Sequence, residues 1–500
     1  MLKENHMTWR CGGHELSLSR PRIMGVLNVT PDSFSDGGEH LDADAAIEHG
    51  LRMLDEGADI IDVGGESTRP GHTPVDPQEE AERVVPVVRA LAEAGALVSI
   101  DTRHAEVARL CVRLGAAIVN DVTGFTDPAM VAVAADTTCG CVVMHWDQGH
   151  SLSGGAAGQA PAPTRREVSL YESRPSGSRP IVTATVTRSM TSQRRFTLPD
   201  EAPIMRQVMG FLGDQARTLM RAGVAHDRIC VDPGPGFDKT ADEDVVIQRA
   251  THSVASMGYP VLCAPSRKRF VGAVSGVGEA AARDAATAGI CVSAIQNGAR
   301  ILRVHDVAGT AQCVNSYWAV AQKDPRQGFV SLGSNVGDRM ANLSRAVQLI
   351  DQIPLTCVVN VSHAYQTEPA YGLGDPVANA VVEIRTELHP LVLVDKLLAV
   401  EDALGRERSP EAEAARELGT PGCEPRTIDC DLAWVEGETH AGRKLTLPHR
   451  HLGERDYVLV PMEDLMHDPE RFLSHGGVAV TPRDERVGHV MADLGELAWE

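Results

Sequence analysis

Residues 23–38 read IMGVLNVTPDSFSDGG, and their order is the pattern that decides the fold: an apolar run, an asparagine and a polar loop ending in two glycines. The run Ile23–Leu27 is too short and too apolar to be a half-exposed strand, which is typical of a strand buried in a parallel sheet. A polar loop that leaves such a strand predicts one part of a functional site.

Seven more runs of this kind follow, and longer helical patterns separate them. The runs lie at 60–63, 97–100, 118–119, 142–144, 229–231, 261–262 and 301–304, and the helical patterns include 43–56, 77–94 and 281–298. Eight buried strands alternating with helices favour an α/β fold, a (β/α)8 TIM barrel over residues 20–320. A doubly wound open sheet is the alternative.

Polar residues follow all eight runs. In a parallel barrel they would collect at the carboxyl ends of the strands, where barrel active sites lie. Any one of them could be a polar strand end or a helix cap, but eight together are hard to explain by capping. They are Asn28, Gly64-Gly65-Glu66, Asp101, Asn120-Asp121, His145, Asp232 and Ser266-Arg267-Lys268, and Arg303 and His305 bracket the end of the eighth run.

These groups suit an anion and a planar heterocycle. The glycines of the 62–71 loop let backbone N–H groups approach a phosphate, and a guanidinium can donate two bonds to it. Carboxylates and an amide can pair with the N–H and carbonyl edges of a heterocycle. The first set is Arg69, Lys268, Arg303 and His305, and the second is Asp101, Asn120 and Asp232.

With these loops, residues 20–320 resemble the dihydropteroate synthase family, in which p-aminobenzoate displaces diphosphate from a dihydropterin. The resemblance implies that the pterin is bound by Asp101, Asn120, Met144, Asp232, Ser266 and Lys268. It implies that Arg303 and His305 bind the diphosphate, and that Asn28 helps to place Mg²⁺. Phe34, Thr68 and Arg69 would lie on two loops that close over p-aminobenzoate.

A long insertion is predicted between the fifth and sixth strands. Residues 147–203 are rich in Ser, Gly, Pro, Arg and Ala and lack helical periodicity, so they do not fit a core element. A solvated loop and a lid or partner-binding segment both remain open.

The pattern changes after a linker at 323–328. Strands are predicted at 329–332, 358–366, 379–386 and 428–435, and helices at 339–352 and 391–404. This βαββαβ order predicts a ferredoxin-like α+β domain. We assign it to residues 328–475 and treat 476–500 as a C-terminal tail.

Two aspartates give the strongest chemical signal in this second domain. Asp429 and Asp431 face the same side of a predicted strand, because side chains alternate with a period of two. Two such carboxylates suit Mg²⁺ and a nucleotide, although solvated strand carboxylates would give the same pattern. By spacing, Arg426 is expected on the opposite face. No GxxxxGK[ST] motif occurs, so a P-loop for ATP is not expected.

Residues 328–475 resemble the 6-hydroxymethyl-7,8-dihydropterin pyrophosphokinase family, which transfers diphosphate from ATP to the pterin. The resemblance implies that Asp429 and Asp431 bind Mg²⁺ and that Thr367, Asn379 and Tyr457 bind the pterin. It implies that the nucleotide contacts Glu401, Arg406, Arg408, Arg426, His449 and Arg455. The chain departs from the family pattern at Val377, where an aromatic is usual, and at Cys423-Glu424. Loss of one aromatic partner predicts pterin binding weaker by about 0.5–1.5 kcal/mol.

The composition restricts the partners. The net charge is −21 and only 4% of the residues are aromatic, which argues against binding to nucleic acid or to an anionic membrane. The 11 cysteines are scattered, and no apolar leader or membrane-length apolar stretch occurs. We therefore expect a cytoplasmic protein with small-molecule substrates.

The two resemblances describe consecutive steps of folate biosynthesis, since the kinase product is the synthase substrate. The alternative is an active synthase whose second domain binds pterin with impaired or no catalysis. The resemblance also implies a homodimer formed through the barrel.

Overall fold

The computed structural model describes residues 7–30, 39–66, 74–146, 202–369, 375–407 and 425–499. The chain forms two compact units, Met1–Val314 and Asn315–Glu500. Several sequence-based assignments lie outside the described residues, namely Phe34, Thr68, Arg69, Arg408, Cys423-Glu424 and almost all of the predicted insertion at 147–203.

The first unit is built on eight parallel strands. After a hairpin of β1 (Thr8–Cys11) and β2 (His14–Ser17), the strands are β3 (Arg22–Asn28), β4 (Ile60–Gly64), β5 (Val98–Asp101), β6 (Ile118–Asp121), β7 (Gly140–Met144), β8 (Ile229–Asp232), β9 (Leu262–Cys263) and β10 (Ile301–Val304). They pair in the order β8-β7-β6-β5-β4-β3-β10-β9. A bridge between Val231 and Val261 joins the two ends. The predicted barrel is confirmed, and the open-sheet alternative is wrong.

Helices follow the barrel strands. They are α1 (Glu39–Glu56), α2 (Pro77–Glu93), α3 (Ala105–Arg113), α4 (Pro128–Asp136), α5 (Pro203–Arg221), α6 (Ala241–Arg249), α7 (Thr251–Ala255), α8 (Arg269–Ser275), α9 (Asp284–Gln296) and α10 (Val307–Ala321). Local sequence explains where they begin. Asp76 caps α2 by accepting from the N–H of Gln78, and Thr240 and Glu243 form a reciprocal capping box on α6.

The β1–β2 hairpin covers the amino-terminal end of the barrel. Trp9 is fully buried there and packs in a cluster with Ile118, Val142 and Ile301. Its indole N–H donates to the carbonyl oxygen of Arg228 at 3.0 Å. The sequence analysis missed this hairpin, although the pair Gly12-Gly13 marks its turn. With this end of the barrel closed, the loops at the other end are left for binding.

The second unit contains one large antiparallel sheet in which most neighbouring strands are not consecutive in the sequence. Its strands are β11 (Arg326–Ser334), β12 (Thr356–Val361), β13 (Ala364–Thr367), β14 (Val377–Thr386), β15 (Asp429–Val435) and β18 (Val490–Gly495), with β16 (His440–Ala441) and β17 (Thr446–Leu447) forming a small ribbon. The sheet order is β15-β11-β14-β13-β18, and β12 also pairs with β14. This is the predicted ferredoxin-like arrangement.

Helices cover both faces of this sheet. They are α11 (Arg339–Asp351), α12 (Pro390–Ala403), α13 (Asp456–Leu465) and α14 (Pro469–His475). One apolar cluster joins the sheet to α11 and α12, and another joins its opposite face to α13 and α14. None of the helices in the described ranges has both the length and the hydropathy of a membrane span.

Two features of this sheet differ in detail from the sequence analysis. The predicted strand at 358–366 is interrupted at Ser362, whose hydroxyl accepts a hydrogen bond from the N–H of Val381 at 2.9 Å. Residues 476–500, treated above as a tail, contain β18, which pairs with β13 at the edge of the sheet.

Candidate active sites of the two units

The barrel brings its predicted site residues to the carboxyl ends of the strands. Asn28, Asp101, Met144 and Asp232 are the last residues of β3, β5, β7 and β8, Asn120 and Arg303 are next to the last residues of β6 and β10, and Ser266, Lys268 and His305 lie in the loops after β9 and β10. The fold thus places groups from seven strands or strand ends at one mouth.

Arg303 is the centre of the ionic network at this mouth. Its Nε donates to Asp62 Oδ2 and its Nη2 donates to Asp101 Oδ2, both at 2.6 Å. The amide Nδ2 of Asn120 donates to the same Asp62 oxygen at 3.1 Å. These hydrogen bonds therefore connect side chains from four strands, β4, β5, β6 and β10, in one network.

Asp62 is a candidate site residue that the sequence analysis did not select. It is fully buried on β4, and its Oδ1 makes no hydrogen bond among the described residues. That oxygen can accept from an N–H group of a ligand. The sequence did contain a sign of this role, since Asp62 is a charged residue inside the otherwise apolar run 60–63. A buried carboxylate needs partners from elsewhere in the fold.

Burial shifts the proton affinities at the mouth. Burial raises the pKa of Asp101 to about 7 although Arg303 opposes the shift, and burial lowers the pKa of Lys268 to about 8. Burial also raises the pKa of Asp232, against the influence of Lys268. Groups that change charge close to neutral pH are typical of binding and catalytic sites.

Lys268 is held by contacts with the loop after β8 and by the conformation of its own loop after β9. Its Nζ donates to the carbonyl oxygen of Pro235 at 2.5 Å. The preceding residue, Arg267, has a left-handed φ of 59° and makes two hydrogen bonds to Asp284, at 2.8 and 2.7 Å. This pair holds a backbone conformation that non-glycine residues rarely adopt, and so fixes the direction in which Lys268 leaves the loop.

Ser266 and His305 form a second pair at the mouth. Ser266 Oγ lies 2.9 Å from His305 Nδ1, and the backbone N–H of His305 donates to the same hydroxyl at 3.1 Å. The loops after β9 and β10 are thereby joined, and the imidazole is oriented by a neutral partner.

In the second unit, two predicted site residues lie in one row across the sheet, on either side of Gly333. Gly333 of β11 pairs with Asp429 of β15 on one side and with Asn379 of β14 on the other. Asp429 and Asp431 share a face of β15, as expected from the strand period. Asn379 Nδ2 donates to Thr367 Oγ1 at 2.7 Å, and both side chains are buried.

Two arginines donate hydrogen bonds to the carboxylate of Asp429. Arg406 Nη1 donates to Oδ1 at 2.7 Å, and Arg426 Nη1 donates to Oδ2 at 2.5 Å. Burial alone would raise the pKa of Asp429, but these two cations hold it at about 2. The expectation that Arg426 lies on the opposite face is wrong, because β15 begins at Asp429 and residue 426 precedes the alternating strand.

The remaining nucleotide candidates have different surroundings. Glu401 is buried and its Oε1 accepts from the N–H of Cys430 at 2.7 Å, so it connects α12 to β15. Arg455 Nη1 lies 3.8 Å from Asp431 Oδ2, and its guanidinium carbon lies 5.4 Å from the centre of the Tyr457 ring. Burial lowers the pKa of His449 to about 4, so this imidazole is neutral at physiological pH.

A methyl group at residue 333 is expected to damage the second site. An ideal Cβ there would lie 3.1 Å from Asn379 Oδ1 and 3.6 Å from Val377 Cγ1. The resemblance noted above implies that Asn379 binds a pterin, and in Gly333→Ala we expect the KM for that substrate to rise about tenfold, because Asn379 is held by Thr367 and cannot move freely. Steady-state kinetics against both substrates measure this. Ser331→Ala, two residues away on the same face of β11, is the control, and an unchanged pterin KM would refute the prediction.

Comparison with known proteins identifies the class of protein that this fold and mouth define. Residues 24–305 match the family model described as Pterin binding enzyme. The match spans more than half of the chain, so the chain belongs to the pterin binding enzymes.

The similar curated and solved proteins are dihydropteroate synthases. Dihydropteroate synthase of Mycobacterium leprae (strain TN) is 36% identical over 317 residues, 62% of this chain and 97% of the relative. That of Staphylococcus haemolyticus is 37% identical over 292 residues, 58% of this chain and 91% of the relative. The solved Xanthomonas albilineans dihydropteroate synthase with 4-aminobenzoic acid is 33% identical, with a TM-score of 0.52, over 64% of this chain and 100% of that chain.

The second unit has its own match. Residues 329–467 match the family model of 7,8-dihydro-6-hydroxymethylpterin-pyrophosphokinase. Both resemblances read from the sequence are confirmed. The chain is a bifunctional transferase of folate biosynthesis, in which a dihydropteroate synthase precedes a pyrophosphokinase.

Proposed function

We propose that the residues described above form the working sites for both reactions. The second unit transfers diphosphate from ATP to 6-hydroxymethyl-7,8-dihydropterin, and the barrel joins the product to p-aminobenzoate. The observation that carries the proposal is the network at the barrel mouth, where Arg303 joins Asp62 and Asp101 close to the amide of Asn120.

The reaction proposed for the barrel depends more on cations that stabilise the leaving diphosphate than on a general base. The arylamine nitrogen is already nucleophilic; its lone pair forms the new C–N bond as the C–O bond to diphosphate breaks, and the nitrogen then loses a proton to water. In this proposal, Arg303 and His305 stabilise the departing diphosphate. Asn120, Asp232 and Lys268 bind the edges of the pterin ring.

The donor set of the second unit fits Mg²⁺ in part. Asp429 and Asp431 offer oxygen ligands on one face. No group of three metal-ligating side chains occurs within the described ranges, so phosphate oxygens would complete the shell, as is usual for Mg²⁺ with nucleotides. When bound, Mg²⁺ supplies neutralisation of the phosphate charge. In the barrel, the corresponding proposal rests on Asn28.

The side chains of the second unit divide between the two substrates. Asn379, oriented by Thr367, is placed to pair with the pterin, and Tyr457 offers a ring for stacking. When the nucleotide binds, Arg406 and Arg426 exchange their hydrogen bonds with Asp429 for hydrogen bonds with the phosphates. The neutral imidazole of His449 can donate a hydrogen bond without bringing an additional charge.

A second candidate function is an active synthase with a weak kinase. It is favoured by Val377, a half-buried aliphatic residue of β14 two positions before Asn379, where the family usually has an aromatic. We also propose a cytoplasmic homodimer. The ten described cysteines are free thiols, which agrees with a reducing compartment, and the dimer rests on the family resemblance.

One coupled assay tests the proposal. The full chain is supplied with hydroxymethyldihydropterin, ATP, Mg²⁺ and p-aminobenzoate, and dihydropteroate is measured. Formation of dihydropteroate from this mixture requires both sites. If only pre-formed pterin diphosphate gives product, the weak-kinase alternative holds, and if neither gives product, the assignment of the barrel site fails.

The alkaline side of the synthase pH profile is expected to report on Lys268. Burial lowers its pKa to about 8, so the ammonium is charged below this pH and neutral above it. We expect kcat/KM for the pterin diphosphate to fall about tenfold per pH unit above this pKa, which gives the profile an alkaline limb. In Lys268→Arg the limb should disappear from whatever activity remains, because a guanidinium stays charged. A wild-type profile that stays level up to about pH 9 would contradict this prediction.

A further inference from the structure

A series of side-chain contacts connects the end of β7 to Lys268. It begins with Trp146 and Asp238, to which no role has been assigned above. Trp146 follows β7, and its indole N–H donates to Asp238 Oδ2 at 2.6 Å. The same indole packs edge-on against Phe237, with ring centres 5.7 Å apart. Phe237 in turn lies 4.7 Å from Lys268 Nζ, measured to the ring centre.

The backbone at Asp238 has a conformation in which glycine is the residue with the least strain. Its φ is +50°, in the left-handed region that glycine adopts easily and aspartate adopts only occasionally. The backbone alone would therefore favour glycine at this position. The carboxylate makes the observed hydrogen bond to Trp146, and this contact gives a reason for aspartate to be there.

The loops after β7 and β8 are also connected through Lys239. Its Nζ donates to the carbonyl oxygens of His145, Gly234 and Phe237, at 3.1, 2.7 and 3.1 Å. The bond to Phe237 is made to its backbone and does not itself set the orientation of its ring. The ring orientation therefore depends on the side chains beside it, which include Trp146.

We propose that Trp146 and Asp238 form a clasp that holds the Phe237 ring against Lys268 and so positions this cation for the pterin. They are positioning residues, because their contact with Lys268 runs through Phe237. The proposal rests on the assignment of Lys268 to the synthase site.

The clasp has a measurable electrostatic consequence. Burial is the largest influence on the pKa of Lys268, and the Phe237 ring is part of the cover that produces it. The other charged and titratable groups that act on Lys268 are Asp232 on β8, Cys263 on β9, Arg303 on β10 and Asp244 on α6. Freeing the ring admits water to the ammonium, which favours its charged form and raises its pKa.

The test is the pH dependence of synthase kcat/KM in the full chain with purified pterin diphosphate. Asp238→Gly keeps the left-handed backbone and removes the acceptor, whereas Trp146→Phe keeps a ring and removes the donor. In both we expect the alkaline limb to move up by about 0.5 pH unit. The KM for pterin diphosphate should rise about three- to tenfold, with kcat at neutral pH little changed.

The matched control is Trp318→Phe, which removes an indole hydrogen bond of the same kind, to Asp324 at 3.4 Å. It should leave the limb in place. A limb that does not move in either clasp variant overturns the proposal, and so does a fall in activity without a shift, which indicates support of the fold alone. If Asp238→Gly does not fold, Trp146→Phe decides. Failure of the unchanged chain to make dihydropteroate would contradict the site assignment instead.

Discussion

Replacing Lys268 with alanine is expected to lower synthase kcat/KM by about 100- to 1,000-fold and to leave kinase turnover unchanged. The ammonium lies beside Asp232 and Arg303 at the barrel mouth and is held by the carbonyl oxygen of Pro235. Its removal deletes the cation assigned to the edge of the pterin. It also leaves the buried carboxylate of Asp232 without a main opposing charge, so the pKa of Asp232 should rise further.

Purified pterin diphosphate and p-aminobenzoate separate this effect from the kinase step. Arg269→Ala is the matched control, since Arg269 is the next residue along the chain and its side chain is exposed. Its activity should stay within about twofold of wild type, as is usual for surface substitutions. Near wild-type dihydropteroate formation by Lys268→Ala would show that the barrel site has been assigned to the wrong residues.

Removing Asp429 or Asp431 is the second large change, and it should silence the kinase while the synthase still uses supplied pterin diphosphate. Polyphosphate would be repelled by both carboxylates unless Mg²⁺ makes them ligands. Two carboxylates are all that this face offers among the described residues, so either loss should remove metal instead of merely weakening ATP. We expect kcat to fall about 100-fold or more, with poor recovery at high Mg²⁺.

Direct binding gives a second readout. In Asp429→Ala, Arg406 and Arg426 lose their common carboxylate partner, which competes with phosphate for both guanidinium groups, so an ATP analogue without Mg²⁺ should bind at least as well as to wild type. With Mg²⁺, the gain in affinity seen for wild type should be lost. Asp395→Ala, which removes an exposed carboxylate paired with Lys444, is the control. Wild-type kinase activity in either site variant would disprove the two-carboxylate assignment.

Much of the fold follows from short-range patterns. A run such as Ile23–Leu27 has no polar side chain that could face water, so it indicates a strand covered on both faces, and eight buried strands leave few architectures. The positions of Asp101, Asn120 and Asp232 at the mouth follow from the same fact. In a parallel barrel, the carboxyl end of every strand lies at the same mouth.

What could not be predicted depends on partners far apart in the chain. Asp62 becomes a site residue because Arg303, 241 residues away, donates to it. The clasp between Trp146 and Asp238 joins positions separated by 92 residues and by the predicted insertion. The side on which Arg426 lies depended on where β15 begins, and strand boundaries are the least certain part of a pattern-based prediction.

The place of β18 in the sheet affects the order in which the protein can assemble during synthesis. The last barrel strand, β10, ends at Val304, whereas the edge strand of the second sheet is made only at Val490–Gly495. Domains generally fold as units as they emerge, the amino-terminal one first. The barrel can therefore close around its core while the ribosome is still adding the second unit. Until residue 495 is added, the edge of β13, which carries Thr367, remains unpaired and open to pairing with other nascent chains.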